Sequence, residues 1–342
     1  MSDAEVLPLV TVLVPCRNEA QFIEGCLDSI VHNDYPETRL QVLVVDGMSS
    51  DGTVAIVERF RAAHDCVALI PNPQRITPTA LNLGISVARG DFIVWMSAHN
   101  HYDLGYIRSC VDWAERSGAD NVGGIISAEP RENTLFGRAI VLALAHRFGN
   151  GGSKFRTSVP EPVWADTVFG GCYRKSVFAK VGLFNEHLVR GQDFEFNVRV
   201  RRAGLRTLLV PTIRSTYFAR SKPLDFVRHN WANGVWAVLP FRYTDVIPVS
   251  FRHLVPMFFV ASIIGSALLG LIVPMVRVVP LLILGAYALA TMLASVSIVA
   301  RQRDVRLLVV MPVVFWLLHI TYGLGSLWAA IRSSGALVRR AV

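Results

Sequence analysis

Three clusters in the 342-residue chain carry side chains suited to group-transfer chemistry. The first is Asp46-Gly47, which follows the apolar run Val42-Leu43-Val44-Val45. A carboxylate at a strand's end can accept hydrogen bonds from a nucleotide base or ribose, although Asp-Gly there also makes an ordinary turn. The second is His99-Asn100-His101-Tyr102-Asp103, with Ser97 just upstream. A reaction that releases a diphosphate must offset its charge, commonly with a divalent cation on hard ligands. His99 suits Mn²⁺ better than Mg²⁺, and His101 would point the other way in an extended segment. A polar loop without metal is the competing reading. The third is Arg190-Gly191-Gln192-Asp193-Phe194-Glu195-Phe196-Asn197, followed by Arg199, Arg201 and Arg202. In a helix, Asp193 and Asn197 share a face while Glu195 projects differently. Asp193 is then either a general base for an acceptor hydroxyl or a charge that only stabilises a helix start. Neither Gly-x-Gly-x-x-Gly nor a Walker-type Gly-Lys-Ser/Thr occurs, so nicotinamide, flavin and P-loop chemistry are unsupported.

Positioning these clusters requires strands that end where they begin. Residues 9–14, 42–45 and 92–96 are continuous apolar runs, and helical spacing follows the first two, through Phe22, Ile23, Cys26, Leu27 and Ile30 and then Val54, Ile56, Val57 and Phe60. Ser49-Ser50-Asp51-Gly52-Thr53 reads as a turn and cap for the second helix. Apolar strands alternating with helices indicate an α/β domain whose parallel sheet is covered on both faces. Ligands of such sheets bind at the carboxyl ends of the strands, which directs attention to residues 15–19, 46–51 and 97–101.

The composition departs from that of a soluble domain: 52% hydrophobic, only 18% charged, with a net charge of +8 and a mean hydropathy of +0.40. Residues 1–222 hold 24 basic and 23 acidic side chains, whereas 223–342 hold 10 arginines and 3 acids. The positive charge therefore sits with the hydrophobicity and suits a membrane surface rather than nucleic acid. Residues 254–276, 278–300 and 307–331 lack Asp, Glu, Lys and Arg, and each exceeds the ~20 residues that a spanning helix needs. Between them and residue 222, segment 223–253 interleaves Trp231, Trp236 and other apolar residues with Arg228, Arg242 and Arg252. It reads as an amphipathic helix at the headgroups, or as one packed on the soluble domain. The N-terminus lacks the apolar stretch of a cleavable signal. Five scattered cysteines without metal-ligand spacing fit a reduced, cytosolic compartment.

Together the segments resemble inverting family 2 glycosyltransferases with a GT-A fold, a Rossmann-like mixed, mainly parallel sheet. The matching pieces, in the family's order, are Val14-Pro15-Cys16-Arg17-Asn18-Glu19, Val45-Asp46-Gly47-Met48-Ser49-Ser50-Asp51-Gly52-Thr53, Ala80-Leu81-Asn82-Leu83-Gly84 and Ala88-Arg89-Gly90-Asp91. Phe148-Gly149-Asn150-Gly151-Gly152-Ser153, Asp166-Thr167-Val168-Phe169-Gly170-Gly171 and Gln192-Asp193-Phe194-Glu195 with Arg199 are similar to the succinoglycan-biosynthesis branch, whose members also carry C-terminal transmembrane helices. The resemblance implies that Pro15, Arg17, Glu19 and Asp46 line the donor's base and ribose, that Asp51 supports their loop, and that Arg75 approaches the diphosphate. Ser97-Ala98-His99 aligns with the metal-binding Asp-x-Asp. His99 fits the branch's Asp-Ala-His, while Ser97 lacks the first carboxylate. A cation, Mn²⁺ or Mg²⁺, is then held by fewer protein ligands plus the diphosphate, or activity is metal-poor or absent. Asp193 matches the catalytic base, and Gly170, Gly171, Gln192 and Trp231 the acceptor site.

The implied activity is that of a hexosyltransferase at the inner or plasma membrane, multi-pass, with a cytoplasmic catalytic domain. It moves a sugar from a nucleotide-sugar donor, UDP-linked, to a lipid-linked or glycan acceptor of cell-surface or exopolysaccharide synthesis. The Gln-x-x-Arg-Trp element of processive synthases is replaced by His229-Asn230-Trp231-Ala232-Asn233-Gly234, so one sugar is expected per encounter. A catalytically silent scaffold that binds nucleotide or glycan is the alternative; Ser97 favours it and Asp193 opposes it. A transporter is disfavoured because the three apolar stretches hold no carboxylate. The expected domains are 1–222, 223–253 and 254–342. Three full crossings from a cytosolic domain would leave Arg332, Arg339 and Arg340 outside, against the positive-inside rule, unless one segment is re-entrant or interfacial.

Overall fold

A computed structural model of the protein describes residues 7–157, 159–247 and 249–338. In chain order, the first elements are β1 (Val10–Cys16), α1 (Ile23–Val31), β2 (Leu40–Asp46), α2 (Thr53–Ala63), β3 (Val67–Pro71) and α3 (Thr77–Ser86). There follow β4 (Phe92–Trp95), β5 (Asn100–Tyr102), α4 (Tyr106–Ser117), β6 (Asn121–Pro130), α5 (Leu135–Ala145), α6 (Arg147–Asn150) and α7 (Lys154–Thr157). The chain continues through β7 (Val163–Ala165), β8 (Cys172–Arg174), α8 (Lys175–Val181), α9 (Gln192–Arg202) and β9 (Thr207–Ala219). It closes with α10 (Pro223–Val238), α11 (Val255–Ile272), α12 (Val278–Gln302) and α13 (Leu307–Val338). Two compact units result: Met1–Ser127 with Ser158–Tyr217, and Ala128–Thr157 with Phe218–Val342. The excursion around α5 thus joins the C-terminal unit, although the sequence reading places it within 1–222; α5 is itself an apolar helix.

The sheet of the first unit runs β3-β2-β1-β4-β8-β6-β9-β5, with β7 on β9. Its β3-β2-β1-β4 half is parallel, as the continuous apolar runs predict, and antiparallel pairing begins where β8 meets β4. Alternation along the strands sorts the core into two layers. Val10, Val12, Val14, Val42, Val44 and Phe92 face α1 and α4, through side chains such as Leu27, Ile30 and Ile107. Leu13, Leu43 and Ile93 face α3, α8 and α9, through Leu81, Phe178 and Phe196. Gly84 lets α3 approach the sheet, since a Cβ there would lie 2.6 Å from Leu13 Cδ2.

In the second unit, α5, α10, α12 and α13 share a core that includes Ile140, Phe226, Ile298, Met311 and Phe315. Arg138 on α5 pairs with Asp304 between α12 and α13 at 3.1 Å, and His146 meets Ser297 at 3.3 Å. Three segments are long and apolar enough to cross a membrane: Val255–Ile272, Pro274–Gln302 and Leu307–Ser333. Much of their surface is uncovered, with Leu271, Ile272 and Met275 at 74%, 81% and 87% exposure, as suits side chains whose solvent is lipid. The first helix is shorter than the uncharged stretch 254–276 because the chain turns at Pro274–Arg277, where the Arg277 Nε donates to the Gly270 carbonyl at 2.8 Å. The last helix continues to Val338, past the expected end at 331; Arg339 and Arg340 lie outside the described residues.

Segment 223–253 divides into α10 and two short 3-10 turns, Leu239–Arg242 and Phe251–His253. Within the second unit α10 packs on α13 through a seam of small residues. The Ser326 hydroxyl donates to the Gly234 carbonyl at 2.8 Å, and a Cβ on Gly325 would lie 2.4 Å from the Trp231 carbonyl oxygen. A Cβ on Gly234 would lie 2.0 Å from the Tyr322 carbonyl oxygen. Gly234→Leu is therefore expected to destabilise the protein by about 1–3 kcal/mol, the usual cost of overpacking. Gly265→Leu, at a position with nothing within 4 Å, should change little. Thermal unfolding in detergent compares the two, and equal stability of both variants would contradict the seam.

Candidate active site

Parallel register places Cys16, the last residue of β1, opposite Asp46, the last residue of β2. The loops that leave these ends are joined by backbone-to-side-chain hydrogen bonds. Asn18 N donates to Ser49 Oγ at 2.8 Å, Ser50 N to Asn18 Oδ1 at 2.8 Å, and Glu19 N to Thr53 Oγ1 at 2.9 Å. Asn18 and Met48 adopt left-handed backbone angles at the two bends, with φ of 55° and 59°. The stem of Arg17 lies over Gly47, where a Cβ would be 3.2 Å from the arginine's own Cβ.

Asp46 is buried, and its carboxylate accepts from Ser49 N at 2.9 Å, from the Ser49 hydroxyl and from Cys16 Sγ at 3.7 Å. Its present work is to shape the loop. Asp51 does the same from the other side, accepting from Ala20 N at 3.1 Å, from Thr53 N at 3.0 Å and from the Thr53 hydroxyl. Desolvation opposes ionisation of Asp51, but these hydrogen bonds prevail and hold its carboxyl below the ordinary value. Asp51 rather than a residue at the helix N-cap thus organises the start of α2, whose cap is Gly52 with no side-chain bond. Pro15 is half-buried within β1.

Beyond β4 the chain turns instead of extending, with Asn100 N donating to the Ser97 carbonyl at 3.1 Å. The turn brings Ser97 Oγ to 3.3 Å from His99 Nε2 and buries Ala98. His99 Nδ1 lies 3.1 Å from Glu19 Oε1, and its ring meets Tyr217 edge-on with centroids 5.4 Å apart. His101 is exposed on β5, facing away as alternation requires. Among the described residues, no group of three or more His, Cys, Asp and Glu side chains gathers as a metal site. The donors beside the turn, an imidazole and a hydroxyl, fit a transition-type divalent ion that draws its remaining ligands from a diphosphate and water.

Asp193 occupies the first turn of α9, entered through Gly191 at φ 74°. Burial raises its carboxyl above the ordinary value, against the hydrogen bonds from backbone amides at 193 and 194. Asn197, one turn on, donates to the Asp193 carbonyl at 2.9 Å and to Thr167 Oγ1 at 3.1 Å, and accepts from the Tyr173 hydroxyl at 3.3 Å. Glu195 projects elsewhere, into an ion pair with Arg199 at 2.7 Å. Gly170 and Gly171 lie against β4, where Trp95 N donates to the Gly171 carbonyl at 3.0 Å and a Cβ on Gly170 would be 2.4 Å from the Trp95 carbonyl. Gln192 is buried beside Asp193. Arg75 sits exposed after β3 with φ 61°, and Trp231 belongs to the second unit, 6.2 Å from Trp328 between ring centroids.

Several contributors escaped the sequence reading. Asn82 clamps the loop ahead of α9, accepting from Phe184 N at 2.9 Å and donating to the Phe184 carbonyl and to Glu186, both at 2.9 Å. It belongs to the segment 80–84, but its partners are more than a hundred residues away. Tyr173 and Tyr217 likewise act across longer separations, with no local signature.

The sequence profile of glycosyl transferase family 2 matches residues 11–182. A dolichyl N-acetyl-alpha-D-glucosaminyl phosphate 3-beta-D-2,3-diacetamido-2,3-dideoxy-beta-D-glucuronosyltransferase of Methanococcus voltae is 26% identical over 326 residues, 92% of this chain and 95% of that one. Succinoglycan biosynthesis protein ExoA of Rhizobium meliloti is 29% identical over 260 residues, 71% of this chain and 77% of that one. A mannosyltransferase from Pyrobaculum calidifontis, solved with GDP-Man and Mn²⁺, superposes with a TM-score of 0.55 at 21% identity, covering 94% of this chain and 87% of the other.

The loop-joining hydrogen bonds make a direct stability test. Asp51→Ala removes the acceptor of three donors and should destabilise the protein by roughly 1 kcal/mol per bond left unmade, less what water restores. Asp51→Asn should cost less. Urea unfolding in detergent reads both, and an unchanged midpoint for Asp51→Ala would refute this role.

Proposed function

The chain belongs to glycosyl transferase family 2 and has the GT-A fold, and from that premise we propose that it is a membrane-bound inverting hexosyltransferase. It transfers a sugar from a UDP-linked donor to a lipid-linked or glycan acceptor in cell-surface or exopolysaccharide synthesis. The observation that carries this reading is Asp193: a carboxylate at a helix start, desolvated enough to be a stronger base than usual. The relatives named for a lipid-phosphate glycan and for succinoglycan support the acceptor class.

Pro15, Arg17, Glu19, Asp46 and Asp51 form the loops for the nucleotide, with Arg75, Ser97 and Ala98 toward the diphosphate. Gly170, Gly171 and Gln192 serve the acceptor. Asp193 takes the proton from the acceptor hydroxyl as its oxygen bonds to the anomeric carbon, and the bond from that carbon to the diphosphate oxygen breaks on the opposite face. The nucleoside diphosphate leaves with the electron pair, and configuration inverts. A divalent cation at His99, with Ser97 beside it, would offset the leaving group's charge. Base assistance contributes about 10²–10⁴-fold, and fixed placement of donor and acceptor much of the remainder. The catalytic unit faces the cytoplasm and the reaction adds one sugar per encounter, consistent with His229–Gly234 serving helix packing instead of a processive motif. A silent scaffold is the reading that Ser97 alone would favour.

Asp193→Asn should lower transfer by about 10²–10⁴-fold while thermal stabilisation by UDP persists; full turnover would refute the base assignment, and loss of UDP binding would make Asp193 a binding residue. Transfer by the unaltered protein should decline as pH falls through a pKa above the ordinary aspartate value of about 3.9, because protonated Asp193 accepts no proton. A kcat/KM profile flat down to pH 4 would contradict it. Hydrolysis across a panel of nucleotide sugars, with and without Mn²⁺, identifies the donor and separates enzyme from scaffold.

A further inference from the structure

Ser97 leaves the turn after β4 one negative charge short of a two-carboxylate metal site, and the adjacent strand offers a replacement. β1 and β4 pair in parallel, with Leu13 opposite Trp95, so the loop carrying Glu19 and the turn carrying His99 emerge side by side. We propose that Glu19 and His99 are the two protein ligands of the divalent cation, Glu19 supplying the charge that Ser97 lacks. This rests on the reading of the chain as a transferase with a nucleoside-diphosphate donor, and it gives Glu19 a task other than lining the base.

Four observations carry it. Glu19 Oε1 and His99 Nδ1 are 3.1 Å apart. Neighbouring ligands of an octahedral ion with bonds of about 2.1 Å are separated by about 3.0 Å, so both atoms can bind one ion with little movement. Among the described residues, Glu19 forms no ion pair with Lys or Arg; its partner is His99. Its backbone is fixed, with the amide donating to Thr53 Oγ1 at 2.9 Å and the carbonyl accepting from Phe22 N at 2.8 Å and Ile23 N at 2.9 Å. The two side chains keep 19% and 25% exposure, which leaves open positions for diphosphate oxygens and water. Ser97 Oγ, 3.3 Å from His99 Nε2 and 3.5 Å from Nδ1, lies against the same ring. One carboxylate and one imidazole also suit Mn²⁺ over Mg²⁺.

The test uses the full chain in detergent, with Mn²⁺ binding followed by electron paramagnetic resonance in the presence of UDP. Wild type should bind Mn²⁺ and show nitrogen hyperfine coupling, which His99→Ala abolishes. Glu19→Gln should weaken Mn²⁺ binding about tenfold or more, while UDP stabilisation in EDTA persists, and Ser97→Asp added to it should restore binding by returning the lost charge. Should Glu19→Gln fail to fold, Glu19→Asp keeps the charge but shortens its reach and should also weaken binding. Wild-type affinity in both Glu19 variants, or no rescue by Ser97→Asp, overturns the proposal. UDP stabilisation measured in EDTA separates the failures. If UDP binds and Mn²⁺ does not, the metal assignment falls and the transferase reading stands; if UDP does not bind, the donor reading falls and takes this inference with it.

Discussion

Parallel pairing of β1 with β2 on one side and β4 on the other is the constraint from which the first unit follows. Parallel neighbours end at the same edge, so their outgoing loops meet there and must satisfy one another's backbone groups. The bonds from Asn18, Glu19 and Ala20 to Ser49, Thr53 and Asp51 answer that demand and tie the two loops together. Carboxylates that look available for a ligand in sequence, Asp46 and Asp51, are already committed to this framework. Glu19 and His99 are the polar pair that the framework leaves facing each other.

The second unit obeys a different solvent. Two of its arginines, Arg138 and Arg306, converge on Asp304 and hold its carboxyl down to about 2, Arg306 contributing most. Its helices approach one another where glycine and serine permit, at Gly234, Gly325 and Ser326, as expected where lipid on the outside removes the hydrophobic drive for association and close packing must replace it.

Local periodicity made the parallel half of the sheet legible: the run 42–45 became β2, and the spacing from Phe22 to Ile30 became α1, displaced by a single residue. The third helical span and the helix that opens at Gln192 were equally visible, because apolar length and a helix start are local signals. The rest was not. A turn at Ser97–Asn100 hangs on one backbone bond that composition does not specify, and it alone brings Ser97 to His99. Tyr217 reaches His99, and Asn82 reaches Phe184 and Glu186, across separations at which one sequence holds no record of proximity. The assignment of α5 to the C-terminal unit was hidden for the same reason: its partners on α12 and α13 lie some 150 residues away.

The turn at Pro274–Arg277 has a mechanical consequence. By cutting α11 to 18 residues it leaves a helix of about 27 Å beside α12, whose 25 residues extend about 37 Å. A hydrocarbon layer near 30 Å cannot match both. Where both cross a bilayer, the longer helix leans or the lipid around the shorter one thins, and each ångström of disagreement carries an elastic cost. With both helices spanning, bilayer thickness would become a variable in the stability of this protein, one that a change of host lipid would tune without altering a single residue.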